Sequence, residues 1–328
     1  MAITKMNSYD LKGNKLSFAD WVSNISPTET PFCSMTGKES ISQTKYQWQT
    51  DVIPAVKDDN AVIEGSKPAF DSPFATKVLT NHTQIFRRAV SVSDTANVVA
   101  YYGRGKEIGY QMEKASLELK RDMEKAFLAQ THKVGAKPED GGDMGTDTAA
   151  GAAGKTAGFL GLVATKDVAD TDTGAVVHKE TSANTGPTEA EIFDMTYQLY
   201  LANSKANIIM FHPKHAGVFS NLLAISGRGA YIGVNRMKMF KAMDDTYNAE
   251  VDTIIDPLGQ KFALVPNRLM PESHFYFFNP SDWTQMVLRA PKRIQLSKVG
   301  SSEEWMIEAE VGLRHKNPFA SAILKIKA

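Results

Sequence analysis

The chain has 328 residues, 42% hydrophobic and 23% charged, an ordinary globular composition long enough for two cores or one discontinuous core. Lys plus Arg and Asp plus Glu both number 37, so the formal net charge is zero. That argues against an avid nucleic-acid binder, which needs a basic excess to neutralise phosphates. The single cysteine, Cys33, excludes an intramolecular disulfide and a thiolate metal cluster, and fits a reducing cytoplasm. No apolar run approaches the length of a membrane span, and Met1-Ala2-Ile3-Thr4-Lys5 lacks the apolar core of a signal peptide.

Residues 1–44 read as an arm. Ser17-Phe18-Ala19-Asp20 has a capping-box pattern, and Phe18, Trp21, Val22 and Ile25 give one short amphipathic turn or two. Pro27 and Pro31 then favour an extended path. An arm with Trp21 and Phe32 but no core of its own must bury them on its own body or on a neighbour.

Residues 45–92 read as a long hairpin. Tyr46, Trp48, Thr50 and Val52 alternate with Gln47, Gln49 and Asp51, the period of a half-buried strand. Lys57 to Pro73 is loop composition with a polar tip, and a returning strand runs through Val78 to Val92. Two strands with so little apolar content do not stand alone in water, so the hairpin is expected to lean on another subunit.

Gly103 to Thr131 reads as one long helix. Ile108, Met112, Ala115, Leu119, Met123 and Ala126/Phe127 recur every three or four residues on one face, with a thinner stripe of Tyr110, Leu117 and Leu128. Lys114 with Glu118 and Lys120 with Glu124 are spaced as surface pairs. Such a helix spans roughly 40 Å and serves as a spine for other elements. Gly135 to Gly161, rich in glycine, reads as an exposed, weakly packed insertion.

A new module opens at Pro187 with a capping box, Thr188-x-x-Glu191, ahead of a helix burying Ile192, Thr196 and Leu199. Ile208–Phe211 is a buried strand, Pro213 starts the next helix, and strand-like runs follow at Val251–Ile255, Phe262–Val265 and Phe275–Phe278. The tail returns to β structure: Ile294 and Leu296, then Trp305, Ile307, Ala309 and Val311, alternate with polar residues around a turn at Gly300-Ser301-Ser302-Glu303. Ala322, Leu324 and Ile326 make a last strand. The tail strands need a cover, and the spine helix supplies it. The fold class is α+β.

Catalytic motifs are sparse. Gly154-Lys155-Thr156 resembles the end of a phosphate-binding loop, but the earlier glycine is replaced by Ala149 and no strand precedes it. Gly103-x-Gly105 has Ile108 where a dinucleotide fingerprint needs glycine. His212 and His215 lack a third ligand and read as surface or capping residues. Asp140, Asp143 and Asp147 do not follow the EF-hand pattern. Cys33 reads as an inert, partly buried thiol. No catalytic residue, cofactor or metal is assigned, and the chain is read as not an enzyme.

The order of parts resembles the major capsid proteins of tailed bacteriophages with the "Hong Kong ninety-seven" fold, shared with herpesvirus capsids and encapsulin shells, and most closely the elongated-head podovirus capsid family. The residues that carry it are Ser26-Pro27-Thr28-Glu29-Thr30-Pro31-Phe32, Tyr46-Gln47-Trp48-Gln49-Thr50-Asp51, Glu64-Gly65, Asn81-His82-Thr83-Gln84-Ile85, Gly103-Arg104, Tyr110-Gln111 and Glu118-Leu119-Lys120-Arg121-Asp122-Met123-Glu124. They cover residues 10–130 as an ordered set.

The resemblance implies an N-terminal arm at 1–44 and an extended loop at 45–92 lying over a neighbouring subunit. It implies a peripheral domain of 93–186 and 291–328 holding the spine 103–131, and an inserted axial domain at 187–290. It implies a shell of hexamers and pentamers, icosahedral or prolate, around double-stranded DNA held non-specifically on the inner face. Implied partners are a scaffolding protein, a portal and a decoration protein, with the virion capsid assembled in the host cytoplasm and no membrane. Capsid-like sequence starts near Tyr9, so scaffolding is expected to be a separate protein or already removed. Trp21, Phe32, Trp48, Asp51, Glu64 and Arg104 are the candidate inter-subunit contacts. The alternatives are an encapsulin-type compartment and, from another class, a nucleotide-using enzyme built on Gly154-Lys155-Thr156.

Overall fold

The computed structural model of the protein describes residues 29–51, 57, 59–68, 70, 75–100, 105–134, 153–184, 186–219, 253–298 and 300–327. The capping box at Ser17, the contact candidates Trp21 and Arg104, and most of the 135–161 insertion lie outside the described residues.

The spine is a 23-residue helix, α3 (Glu107–Ala129). Its buried face is Met112, Ala115, Leu119, Met123, Ala126 and Phe127, the stripe the spacing predicts. Its first turn has no cap from its own N-cap residue. Ile108 N donates instead to Asn97 Oδ1 at 3.1 Å, from the short helix α2 (Asp94–Val98). At the other end, Tyr276 Oη donates to Leu128 O at 2.8 Å and Gly158 N to Gln130 O at 3.0 Å. Glycine is required at 158, because a Cβ would lie 2.6 Å from the carbonyl oxygens of Ala126 and Phe127.

Two sheets are built around this helix. The first has four strands: β1 (Gly37–Ser40) runs parallel to β10 (Trp283–Gln295), which pairs antiparallel with β11 (Ser302–His315). β11 pairs in turn with β4 (Gln84–Ser93). α3 covers the face carrying Phe86, Ile307, Ala309, Val311 and Leu313, as the tail's alternation predicts. The second sheet has six strands in the order β5-β12-β9-β6-β8-β7. These are β5 (His178–Glu180), β6 (Ile208–Phe211), β7 (Thr253–Ile255), β8 (Lys261–Pro266), β9 (His274–Phe278) and β12 (Ala322–Lys325). β6 lies at the centre and all four of its residues are buried. Helix α5 (Glu189–Leu201) packs on this sheet behind the capping box, with Thr188 and Glu191 exchanging hydrogen bonds as expected.

The sheets do not respect the domain limits expected from sequence. β12 and β5 lie beyond 187–290 yet belong to the six-stranded sheet, while Trp283 to Ala290 of β10 belong to the sheet under the spine. Alternation reports that a strand is half buried but not which sheet it joins.

Four buried rings in a stack fasten the two sheets. Tyr276 on β9 lies 4.1 Å from Phe159, Phe159 lies 4.5 Å from Trp283 on β10, and Trp283 lies 4.0 Å from His315 on β11. The planes are within about 16° of parallel, and each aromatic pair adds about 0.5–1.5 kcal/mol beyond its buried area. Phe159 opens the short helix α4 (Phe159–Leu162), so the end of the 135–161 insertion is core, not exposed loop. Its glycines serve close approach there, which composition alone reads as looseness.

The N-terminal turn α1 (Pro31–Met35) is tied to the spine by a fully buried carboxylate. Pro31 has no N–H, and the next two orphan donors, Phe32 N and Cys33 N, reach Glu124 Oε1 and Oε2 at 2.8 and 2.7 Å. Asn267 Nδ2, at the end of β8, donates to Glu124 Oε1 at 2.7 Å. Glu124 is therefore not the surface partner of Lys120. Cys33 is half-buried beside it, and desolvation, with Glu124 close by, drives the thiol far above its ordinary range, as an inert thiol requires.

Glu124→Ala leaves three enclosed donors without an acceptor, each costing about 1–3 kcal/mol. Denaturant unfolding of the free subunit should show a loss above about 3 kcal/mol, with Glu124→Gln intermediate. A loss under about 0.5 kcal/mol would refute the assignment.

His315 is fully buried, and desolvation pushes its pKa from 6.5 down to about 3; burial likewise brings His274 to about 4. Both are neutral in the fold, whereas the unfolded chain binds protons below pH 6.5. Stability is therefore intact above that pH and is lost as pH falls toward 4, by about 1.4 kcal/mol per unit per fully titrating histidine. Thermal unfolding from pH 7 to 4 should show this slope, and His315→Gln should flatten it.

Candidate inter-subunit surface

Strands β2 (Lys45–Thr50) and β3 (Lys77–His82) form the only two-stranded sheet among the described residues. Lys45 pairs with His82 and Thr50 with Lys77. The hairpin is shorter than the 45–92 expected, because the chain changes sheets at Thr83. Thr83 N donates to Thr44 O, closing the hairpin, and Thr83 Oγ1 donates to Glu310 Oε1 at 2.8 Å. The next residue begins β4. Three successive polar residues, Asn81-His82-Thr83, all buried, mark the switch.

The root of this hairpin is fixed to its own subunit. Asn81, fully buried, donates through Nδ2 to Leu313 O at 2.7 Å and to Thr156 Oγ1 and Ala157 O at 3.1 Å. Its Oδ1 accepts from Ala157 N at 2.9 Å and from His82 N. Tyr46 Oη donates to Leu313 O at 2.8 Å over Gly312, and burial pushes the phenol's pKa well above its usual range. Thr156 belongs to the Gly154-Lys155-Thr156 stretch. Its hydroxyl is enclosed among Asn81, Ala157 O and Leu313 N, and the Lys155 backbone pairs with Val134. The hydroxyl thus has protein partners where a phosphate loop would present it to a nucleotide.

One of the six contact candidates, Phe32, is spent inside the subunit. Phe32 is fully buried, with ring centroids 5.6–6.2 Å from those of Phe278, Trp283 and Phe159, so it is a core residue and not a contact between copies. Trp48 is half-buried and stacks on Tyr46 at 6.0 Å. It borders a cavity of about 280 Å³ whose walls include Leu79, Lys133, Ala157, Leu162 and Pro318 of the same subunit. Phe32 and Tyr46 therefore find their burial at home, while Trp48 is only partly covered there. Asp51 and Glu64 are exposed, Asp51 just past β2 and Glu64 in the turn completed by Gly65 at φ +78°.

Farther out, the structure shows what sequence reading missed. Val62 is 82% exposed, Ile63 83% and Phe70 94%, all in the loop between β2 and β3. The tip is therefore not purely polar. Large side chains this exposed are ordinary singly, but three in one projecting loop mark an interaction surface. They escape a periodicity search because they are set irregularly among Asp59, Asn60, Glu64 and Pro68. Beneath the hairpin, the outer face of the four-stranded sheet carries an ionic lattice. Arg87 Nε donates to Glu308 at 2.7 Å, and Arg289 donates to Glu310 through Nε at 2.8 Å while its Nη1 pairs with Glu308 at 2.7 Å. The two carboxylates are nearly covered and the two guanidinium groups half exposed.

His212 caps the short 3-10 turn at Pro213–His215, its Nδ1 accepting from Lys214 N, and His215 Nε2 contacts Glu272 O at 2.7 Å. Both take the local roles their spacing suggests.

A family model described as "SU10 major capsid protein" matches residues 4–328. The chain is 46% identical over 342 residues to a major capsid protein of Escherichia phage Phieco32, covering 97% of this chain and 95% of that protein. Among solved structures it is similar to the capsid of a native GTA particle (TM-score 0.65, 13% identity, 100% of this chain and 99% of that one). It is also similar to the holo-SrpI encapsulin complex from Synechococcus elongatus PCC 7942 (TM-score 0.56, 11% identity, 95% and 91%). At these identities the structural likenesses show the shared fold of phage capsids and encapsulin, and no more.

A Cβ at residue 312 would collide with the Tyr46 ring. Gly312→Ala should therefore lift the hairpin root, lower the subunit's melting temperature and speed proteolysis near Lys45 and Lys77. Unchanged proteolysis would mean that the Tyr46 contact does not hold the root.

Proposed function

Because the chain belongs to the SU10 major capsid protein family and is a phage major capsid protein, we propose that it assembles through its β2–β3 loop into a closed shell of hexamers and pentamers. The observation that carries this reading is the contrast along one hairpin. The root is pinned inside its own subunit by Asn81 and Tyr46, while Val62, Ile63 and Phe70 at the far end have no cover there. Apolar groups that a single subunit leaves in water become buried when a second copy closes over them, and that burial drives association. Repeated head-to-tail contacts of this kind close into rings, and rings into a shell.

The six-stranded module is the axial domain in this reading, meeting its copies around the five-fold and six-fold axes, and the four-stranded sheet with α3 is the peripheral domain. Residues 1–44 supply the arm in this reading. The shell encloses double-stranded DNA without gripping it, consistent with equal numbers of acidic and basic residues. It forms in the host cytoplasm with a scaffolding protein, a portal and a decoration protein as partners. The subunit's role is structural, without catalysis; the engagement of Thr156 within the hairpin root supports this over a nucleotide-using enzyme.

Ile63→Asp with Phe70→Asp tests the reading. Because both residues are exposed, the free subunit should unfold within about 0.5 kcal/mol of the unmodified protein. Shell yield by sedimentation should fall severalfold. Normal yield and normal shell stability would remove the loop from the interface.

A further inference from the structure

The inward turn of Glu124 leaves a cation behind. Lys120 is exposed one turn before it, and the partner its spacing predicts is enclosed with α1 and Asn267. Lys120 borders a groove of about 510 Å³ between α1, β1, β10 and α3, and Lys38 of β1 borders the same groove. Neither lysine forms an ion pair among the described residues. Glu39, the residue after Lys38, points to the other side of its strand and pairs with Arg314 at 2.6 Å. Glu29, one residue before the Thr30 that lines the groove, pairs with neither lysine. Among the described residues no carboxylate lines the groove.

Between the lysines the groove is apolar and its wall is fixed. Cys33, Met123 and Pro291 supply the apolar lining. The α1 wall is held by hydrogen bonds: Phe32 N and Cys33 N are bound to Glu124, and Gln285 Nε2 donates to Cys33 O at 2.8 Å and to Thr36 Oγ1 at 2.7 Å. A preformed groove of this size, with an apolar interior and two unpaired cations, suits a ligand that carries an apolar group flanked by carboxylates. Duplex DNA is met mainly at phosphate and sugar, and has nothing to set against Met123 and Pro291. Residues 1–28 of the chain carry Lys5, Lys12 and Lys15 against Asp10 and Asp20, the wrong balance of charge for this site. We propose that the groove binds an acidic peptide segment of a second, different protein, with an apolar side chain on Met123 and Pro291 and carboxylates on Lys38 and Lys120. Because binding is read on the subunit, its failure leaves the shell reading intact.

The probe is a labelled peptide with a leucine between pairs of glutamates, titrated into dissociated subunits at low salt. Anisotropy should show saturable binding that weakens at least about tenfold in Lys38→Gln with Lys120→Gln, and about as much when the peptide's glutamates become glutamines. Both lysines are exposed, so thermal unfolding of the double variant should be unchanged. Lys114→Gln, at a separate groove between α3 and β4, should bind as the unmodified protein does. No saturable binding, or binding that survives the double substitution, would overturn the assignment. A short DNA duplex binding as tightly as the peptide would overturn it in favour of nucleic acid. In cells making complete particles, a photo-crosslinking amino acid at Ser34, which lines the groove, should join the chain to another protein through a segment rich in Asp and Glu. That link should disappear in the double variant. No link, or a link to the same chain within a subunit or between copies, would overturn the assignment as well.

Discussion

The carboxylate of Glu124 is the contact on which three otherwise separate parts of the fold depend. It caps α1 from 91 and 92 residues away, accepts from Asn267 at the end of β8, and stands on the spine helix itself. Chain entry, spine and six-stranded sheet therefore meet at two oxygen atoms. The geometry is strict, because a fully enclosed acceptor group must be matched by donors that cannot turn to water. It also determines where Phe32 goes. Once the N–H of residue 32 is fixed to the helix, the ring falls among Phe159, Phe278 and Trp283.

The aromatic stack then makes the two sheets one body. Tyr276, Phe159, Trp283 and His315 come from β9, α4, β10 and β11, and all are buried. Tyr276 extends the connection to the C-terminal carbonyls of the spine through Leu128 O, and Trp283 Nε1 and His315 both meet the hydroxyl of Ser321 just before β12. Buried polar atoms at the joints are thereby largely satisfied, which favours one arrangement of the sheets over near alternatives. Against this body the β2–β3 hairpin is fastened at its root by Asn81.

Much of this was legible in the residue pattern. The spine's buried face, the capping box at Thr188 and Glu191, the central strand Ile208–Phe211 and the cover of the tail strands by the helix all follow from local periodicity and end signals. What escaped has a common cause: it depends on partners distant in sequence. Lys120 and Glu124 have the spacing of a surface pair, and nothing local reveals that Glu124 faces inward to the arm. Val78 to Val92 keeps its alternation through Thr83, although the chain changes sheets there. Phe32 needs burial on any reading of its composition, but composition cannot say that its own subunit supplies it. Conversely, Val62, Ile63 and Phe70 lie in a loop whose polar and proline content hides them, and only their exposure identifies them.

The position of β12 bears on how the protein is made. This strand lies between β5 and β9, so neither of those strands reaches its full complement of pairing until residues 322–325 have been synthesised. β5 has no other neighbour in the sheet, and α5 packs against β12. A nascent chain can form the spine and the centre of the sheet before residues 322–325 exist, but it cannot close the module without them. Closure of the six-stranded module therefore comes only after the β10–β11 pair has been translated.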